Sequence, residues 1–114
     1  IDITNVENID NIPTEDLDAM LNEYIEQKNY KFAIRVYFIK ILKLLIKNDI
    51  IKWQIQKTNR DYIKEIKNKD IKNDFISITK NFEYFWYGDF PLNPQEFISV
   101  QNDILQFNKK IERV

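Results

Sequence analysis

The sequence contains no cysteine and no histidine. Those two absences remove disulfides, zinc fingers, cysteine or histidine nucleophile triads and imidazole acid–base catalysis from what this chain can do by itself. Glycine occurs once, at Gly88, and proline three times, so each is an informative break in the backbone pattern. No run is long and apolar enough to cross a bilayer, because Arg35, Lys40 and Lys43 interrupt the longest one, within residues 32–46. There is no Asn-x-Ser/Thr sequon. The missing cysteines fit a reducing compartment. Ile1 stands where an initiating Met would, as expected of a mature form or an excised piece, which leaves any upstream signal or membrane segment open.

What is present suits one folded domain. At 114 residues with 44% hydrophobic and 14% aromatic content, the chain can bury roughly two-thirds of its unfolded surface. Net charge is −1, but unevenly spread: residues 1–30 carry −7, residues 31–80 carry +8 and residues 81–114 carry −2. The plain explanation lays the acidic first helix against the basic middle of the same domain. The rival gives the basic face to anionic lipid or nucleic acid. An isoelectric point near 5.5 argues against a dedicated nucleic-acid binder.

Residues 1–13 lack helical period and close on Pro13, which predicts a linker or extended arm before a single helical domain over 14–114. Thr14 has the chemistry of an N-cap, and Leu17, Met20, Leu21, Tyr24 and Ile25 follow on one stripe, predicting a helix over about 15–27. After a Lys28-Asn29 turn, residues 30–47 are apolar around more than half their circumference, as a central helix buried by several neighbours requires. Their polar remainder, Lys31, Arg35, Lys43 and Lys47 with Lys40 beside it, reads as a solvated cationic strip. Ile50 to Ile55 alternates briefly, but one such run makes no sheet, so a structured loop is expected with Trp53 at the core's edge.

Thr58 and Asp61 have capping-box spacing for a short helix broken at Asn68-Lys69-Asp70. From Ile71 the stripe resumes as Phe75, Ile78, Thr79, Phe82, Phe85 and Trp86, ending at Gly88, where glycine suits a left-handed C′ position. Asn93, Pro94 and Glu96 give the strongest start signal in the chain, with Leu92 and Phe97 at staple spacing. Phe97, Val100, Gln101, Ile104, Leu105, Asn108 and Ile111 then mark a helix over 94–111. The expected fold is all-α, a compact bundle of about five helices with a central helix 30–47 and a C-terminal helical hairpin.

Two stretches together resemble a bacterial domain of unknown function. They are Ile50-Ile51-Lys52-Trp53 with Lys57-Thr58-Asn59-Arg60-Asp61-Tyr62, and Phe82-Glu83-Tyr84-Phe85-Trp86-Tyr87-Gly88-Asp89-Phe90-Pro91. The family is the protein-glutamine gamma-glutamyltransferase-like C-terminal domain, and Asn29 to Arg35 is similar to its central-helix entry. The resemblance covers roughly residues 15–110, with departures at Ile55 and Phe85. It implies a soluble tail on the cytoplasmic face of the bacterial inner membrane, reached through an upstream segment not present in this chain. It implies no activity, and transglutaminase chemistry would need a Cys-His pair that the chain lacks.

The aromatic corner and the basic stretch before it hold the candidate residues. One reading pairs Arg60 with Asp89 or Glu83 as a structural clamp. The other builds a ligand or peptide site from Lys57, Asn59, Arg60, Trp86, Tyr87 and Asp89. Glu83 and Asp89 are the one carboxylate pair that could converge for hydrolysis, and nothing else supports catalysis. Neither a metal nor a cofactor is expected. Tyr24 to Tyr37 has the look of half a tetratricopeptide hairpin, but no second copy follows. Residues 37–67 could form a helix-turn-helix, although Asp61 and Glu65 would mute phosphate attraction to Arg60, Lys64 and Lys67. The expected function is therefore a non-catalytic interaction or regulatory domain with a protein partner. The alternative is a small-ligand or nucleic-acid binding module that uses the basic middle and the Trp86 corner.

Overall fold

A computed structural model describes residues 8–113. Residues 1–7, most of the expected arm, lie outside the described residues. The fold is an all-α bundle of five helices: α1 (Thr14–Glu26), α2 (Tyr30–Lys47), α3 (Asn59–Glu65), α4 (Lys69–Trp86) and α5 (Pro94–Glu112). A 3-10 turn, Ile9–Asn11, precedes them. It seats Ile9 and Ile12 in the core, and Lys43 on α2 donates to the Ile12 carbonyl.

α2 is central because its sequence leaves it no solvated side. Nine of its residues are buried, from Ala33 and Ile34 to Leu42 and Leu45, and α1, α4, α5 and the 3-10 turn all pack against it. α4 presents one stripe, Ile71, Phe75, Ile78, Thr79, Phe82 and Phe85, at the i, i+4, i+7 spacing that puts them on one face. Rings from both helices interleave. Phe38 stacks on Phe82 with centroids 4.2 Å apart and on Phe75 at 5.9 Å, and Phe75 reaches Phe107 of α5 at 6.3 Å. α4 and α5 run antiparallel: Lys110 near the end of α5 bonds Asp70 and Asp74 near the start of α4. Charge also joins α1 to α2 through the Asp18–Lys40 ion pair.

Most helix ends follow from local chemistry. Thr58 and Asp61 form a full capping box, with Thr58 N–H donating to Asp61 Oδ2 at 2.8 Å. Asn93 and Glu96 do the same for α5, with Pro94 in the first turn. The loop between α2 and α3 has no strand and is held by α3. Tyr62 Oη donates to the Gln54 carbonyl at 3.1 Å and Glu65 Oε1 accepts from Lys52 N at 3.0 Å, while Trp53 stacks on Tyr62.

Four expectations need correction. Thr14 is not the N-cap: Pro13 caps α1, its carbonyl accepting from Asp16 and Leu17, and Thr14 is already helical. α4 begins at Lys69, capped by the Asn68 side chain, so the break lies at residues 66–68 and Lys69 and Asp70 are already helical. On α5, Phe107 is buried, its ring against Phe75 of α4, and Leu105 is exposed. Gly88 is not left-handed either. The positive φ values among the described residues belong to Lys28 (59°), Asp49 (58°) and Asp89 (54°), positions that cost a non-glycine residue roughly 1–2 kcal/mol. Lys28 and Asp49 close α1 and α2 in Schellman fashion, as when Asn29 N–H reaches the Tyr24 carbonyl at 2.8 Å and Ile50 N–H the Leu45 carbonyl at 2.9 Å.

Gly88 is required for space. A Cβ there would lie 2.5 Å from the Tyr84 carbonyl oxygen and 2.7 Å from the Phe90 ring. The Gly88→Ala variant is therefore expected to lose about 1–3 kcal/mol in urea denaturation, and an unchanged midpoint would mean the corner repacks freely. At Thr79 the opposite sign is expected. Its hydroxyl is buried without a hydrogen-bond partner, so Thr79→Val should gain up to about 1 kcal/mol, with any clear loss in the same assay showing that the hydroxyl is bonded.

Candidate functional site

The end of α4 and the corner to α5 form an aromatic promontory. α4 carries Phe82, Phe85 and Trp86 inward and half-inward, and the turn that follows places Tyr87 and Phe90 outside. Tyr84, Tyr87 and Phe90 are 46%, 69% and 51% exposed, unusual for rings of this size. Phe90 meets Tyr84 edge-on at 4.2 Å, and Tyr87 meets Phe82 edge-on at 6.1 Å. Gly88 lets the Phe90 ring lie against the helix end, so the promontory is held in place by packing.

Two cations on α2 grip it. Lys31 and Arg35 are one turn apart, as are Phe82 and Trp86 on α4, so the two pairs face each other. Lys31 Nζ bonds Asp89 Oδ1 at 2.8 Å and lies 5.2 Å from the centre of the Trp86 ring. Arg35 lies 5.6 Å from the centres of both Phe82 and Trp86. Such contacts contribute about 0.5–2 kcal/mol when partly desolvated. Burial lowers the Arg35 pKa from its ordinary value, with Tyr87 nearby acting in the opposite direction. The hydrogen bond from Lys31 and its charge hold the Asp89 carboxyl below the usual carboxylate range.

This arrangement replaces the clamp expected of Arg60. Arg60 is exposed on α3, Glu83 is exposed on α4, and the Asp89 carboxylate is taken by Lys31, a residue the sequence places in a solvated strip. That strip is mostly engaged: besides Lys31 and Arg35, Lys40 pairs with Asp18 and Lys43 with the Ile12 carbonyl, and Lys47 is exposed.

The six candidate residues divide. Lys57, Asn59 and Tyr87 line one small cleft of about 130 Å³, together with Arg35, Trp53 and Tyr62. Asp89 lines a separate shallow groove with Lys31, Phe85 and Phe90. Trp86 sits between the cations of α2 and lines neither, nor does Arg60. Arg35 is the residue that sequence reasoning missed. Its signal was the i, i+4 match between two cations and two rings, which becomes legible only once α2 and α4 are known to be neighbours. Among the described residues no three carboxylates gather as a metal site would need, and no helix is long and apolar enough to cross a membrane.

Because Lys31 is the partner of Asp89, Lys31→Met and Asp89→Asn should show coupling in a double-mutant cycle, whereas Arg60→Gln and Asp89→Asn should be additive. Side-chain carboxyl NMR should find Asp89 titrating below the ordinary range and rising toward it in Lys31→Met. The linkage has one sign: the pair's contribution is present above the unfolded aspartate pKa and is lost as pH falls through the lower folded value. An Asp89 titration unaffected by Lys31→Met would disprove the pairing.

No family model, curated protein or solved structure matches this chain.

Proposed function

We propose that the chain is a non-catalytic interaction or regulatory domain, the soluble tail of a membrane-anchored bacterial protein, and that its contact surface is the aromatic promontory. The observation that carries this reading is the exposure of Tyr84, Tyr87 and Phe90 on a packed corner. Rings held rigidly outside lose little conformational freedom on binding and supply large contact area, which is why tyrosine and phenylalanine concentrate in interface centres. The Lys31–Asp89 pair beside them gives such a patch a polar rim. A membrane-anchored setting is supported by the resemblance of residues 50–62 and 82–91 to the gamma-glutamyltransferase-like C-terminal domain, and so is a cytoplasmic face. The absence of catalysis is supported by chemistry: Glu83 stands exposed, and Asp89, the carboxylate it would work with, is committed to Lys31.

The nucleic-acid alternative is less favoured. The exposed bases of α3, Arg60 and Lys64, are interleaved with Asp61 and Glu65, and Glu65 neutralises Lys57 at 2.9 Å. A photo-crosslinking amino acid at Tyr87 in the intact protein in cells should give a discrete adduct. The same probe at Asn73, about 21 Å away along α4, should not. Tyr84→Ser with Phe90→Ser should abolish the adduct while the folded chain survives, since exposed substitutions typically change stability by no more than about 0.5 kcal/mol. Equal labelling from both probe positions would refute the promontory as the contact surface.

A further inference from the structure

We propose that the cavity over the C-terminal half of α2, between α1 and α5, is a binding site for a free apolar α-amino acid. The packing leaves this opening. Among the described residues α1 and α5 both pack on α2 and not on each other. A row of α2, Lys40, Leu44 and Lys47 at the i, i+4, i+7 spacing of one helix face, therefore stays open between them. The cavity measures about 390 Å³, at the low end of the roughly 300–1,000 Å³ that small-molecule sites occupy.

Its floor is apolar. Leu44 and Ile46 are half-buried where they line it, above the fully buried Leu17 of α1. Its two walls have opposite hydrogen-bonding character. On α2, Lys43 and Lys47 are one turn apart and offer only donors. Lys43 spends one N–H on the Ile12 carbonyl, a neutral acceptor that leaves its charge unmatched. Lys47 is exposed and has no ion-pair partner among the described residues. Lys40 adds no further charge, because Asp18 already meets it.

On α5, Asn108 and Glu112 are one turn apart and bring acceptors to the same cavity. The Glu112 carboxylate is exposed, and the Asn108 Oδ1 is buried with no hydrogen-bond partner among the described residues. A buried acceptor left unmet is costly, and here it stands beside a cavity where a ligand N–H could meet it. A ligand of one sign suits one wall and is repelled or unserved at the other. An α-amino acid carries both charges on a single carbon. Its carboxylate goes to Lys43 and Lys47, its ammonium to Asn108 and Glu112, and an apolar side chain covers Leu44 and Ile46. The site is separate from the promontory, since Lys47 lies about 24 Å along α2 from Lys31.

The test is an NMR titration of the full chain with L-leucine, with 4-methylpentanoate, which lacks the ammonium, and with 3-methylbutylamine, which lacks the carboxylate. Leucine should shift the Leu17 and Leu44 methyl signals saturably at about millimolar concentration, and each half-ligand should bind about fivefold more weakly. Two exposed-site variants separate the walls. Lys47→Gln should weaken leucine about fivefold and leave the amine unchanged, while Glu112→Gln should weaken leucine equally and leave 4-methylpentanoate unchanged. Lys28→Gln, beyond the other end of α2, should alter nothing. The proposal is overturned if leucine gives no saturable shift, if either half-ligand binds as tightly as leucine, or if the shifts centre on the exposed Ile98 and Leu105 of α5 instead. It is overturned equally if Lys47→Gln weakens the amine as much as it weakens leucine.

Discussion

A ladder of aromatic rings through the bundle is what every other feature leans on. Tyr24 of α1 meets Phe32 of α2, which meets Trp86 of α4. Trp86 stacks on Phe82, Phe82 on Phe38 of α2, Phe38 on Phe75 of α4, and Phe75 on Phe107 of α5. The closest step, Phe38 to Phe82, has planes 5° apart. Each buried phenylalanine contributes about 1.5–3 kcal/mol from area alone, and each well-placed pair about 0.5–1.5 kcal/mol more. The ladder joins four helices with one continuous contact, so the rotation of α4 about its axis is fixed by its rings. With no disulfide available, this packing has to set geometry as well as stability.

Everything at the promontory follows from that rotation. With Phe82 turned inward onto Phe38, Trp86 one turn later lies at the bundle's edge, where Lys31 and Arg35 reach it. Tyr87 and the turn beyond are then forced outside. The chain must reverse quickly to begin α5 at Pro94, and it does so by bringing Phe90 back over the helix end. That move fails unless position 88 has no side chain, given the 2.5 Å approach to the Tyr84 carbonyl. The left-handed turn itself falls on Asp89, which suits aspartate's tolerance of that region and aims its carboxylate at Lys31.

The sequence made the helices legible because periodicity and capping act locally. The apolar run predicts α2 from Tyr30 to Lys47, and those are its bounds. The capping boxes at Thr58 and Asn93 needed only residues three apart. Pairings between distant residues were beyond such a reading. By sequence Asp89 can be matched with any nearby cation, and Arg60 stands in the other of the two stretches that share the family resemblance. The winner, Lys31, lies fifty-eight positions away and was hidden in what looked like a solvated strip. Gly88 departs from expectation for a related reason. One glycine at a helix end suggests a left-handed backbone, but its cause was the ring of Phe90, whose return over the helix no local rule encodes.

The same geometry gives the two cations of α2 different work, although they are one turn apart on the same helix. Lys31 is beside the outward turn, and its charge is met by an exposed carboxylate. It therefore ties the corner down without remaining a strong attractor for anions. Arg35 is beside the inward rings and is half-buried, so its charge is poorly hydrated and lies against ring faces. Exchanging the two types would fail on both counts: lysine's compact, strongly hydrated ammonium resists burial, while arginine's plane stacks on ring faces and is more weakly hydrated. Tyr87 lines the cleft beside Arg35 and stands exposed on the promontory, and it directly follows Trp86, which both cations touch.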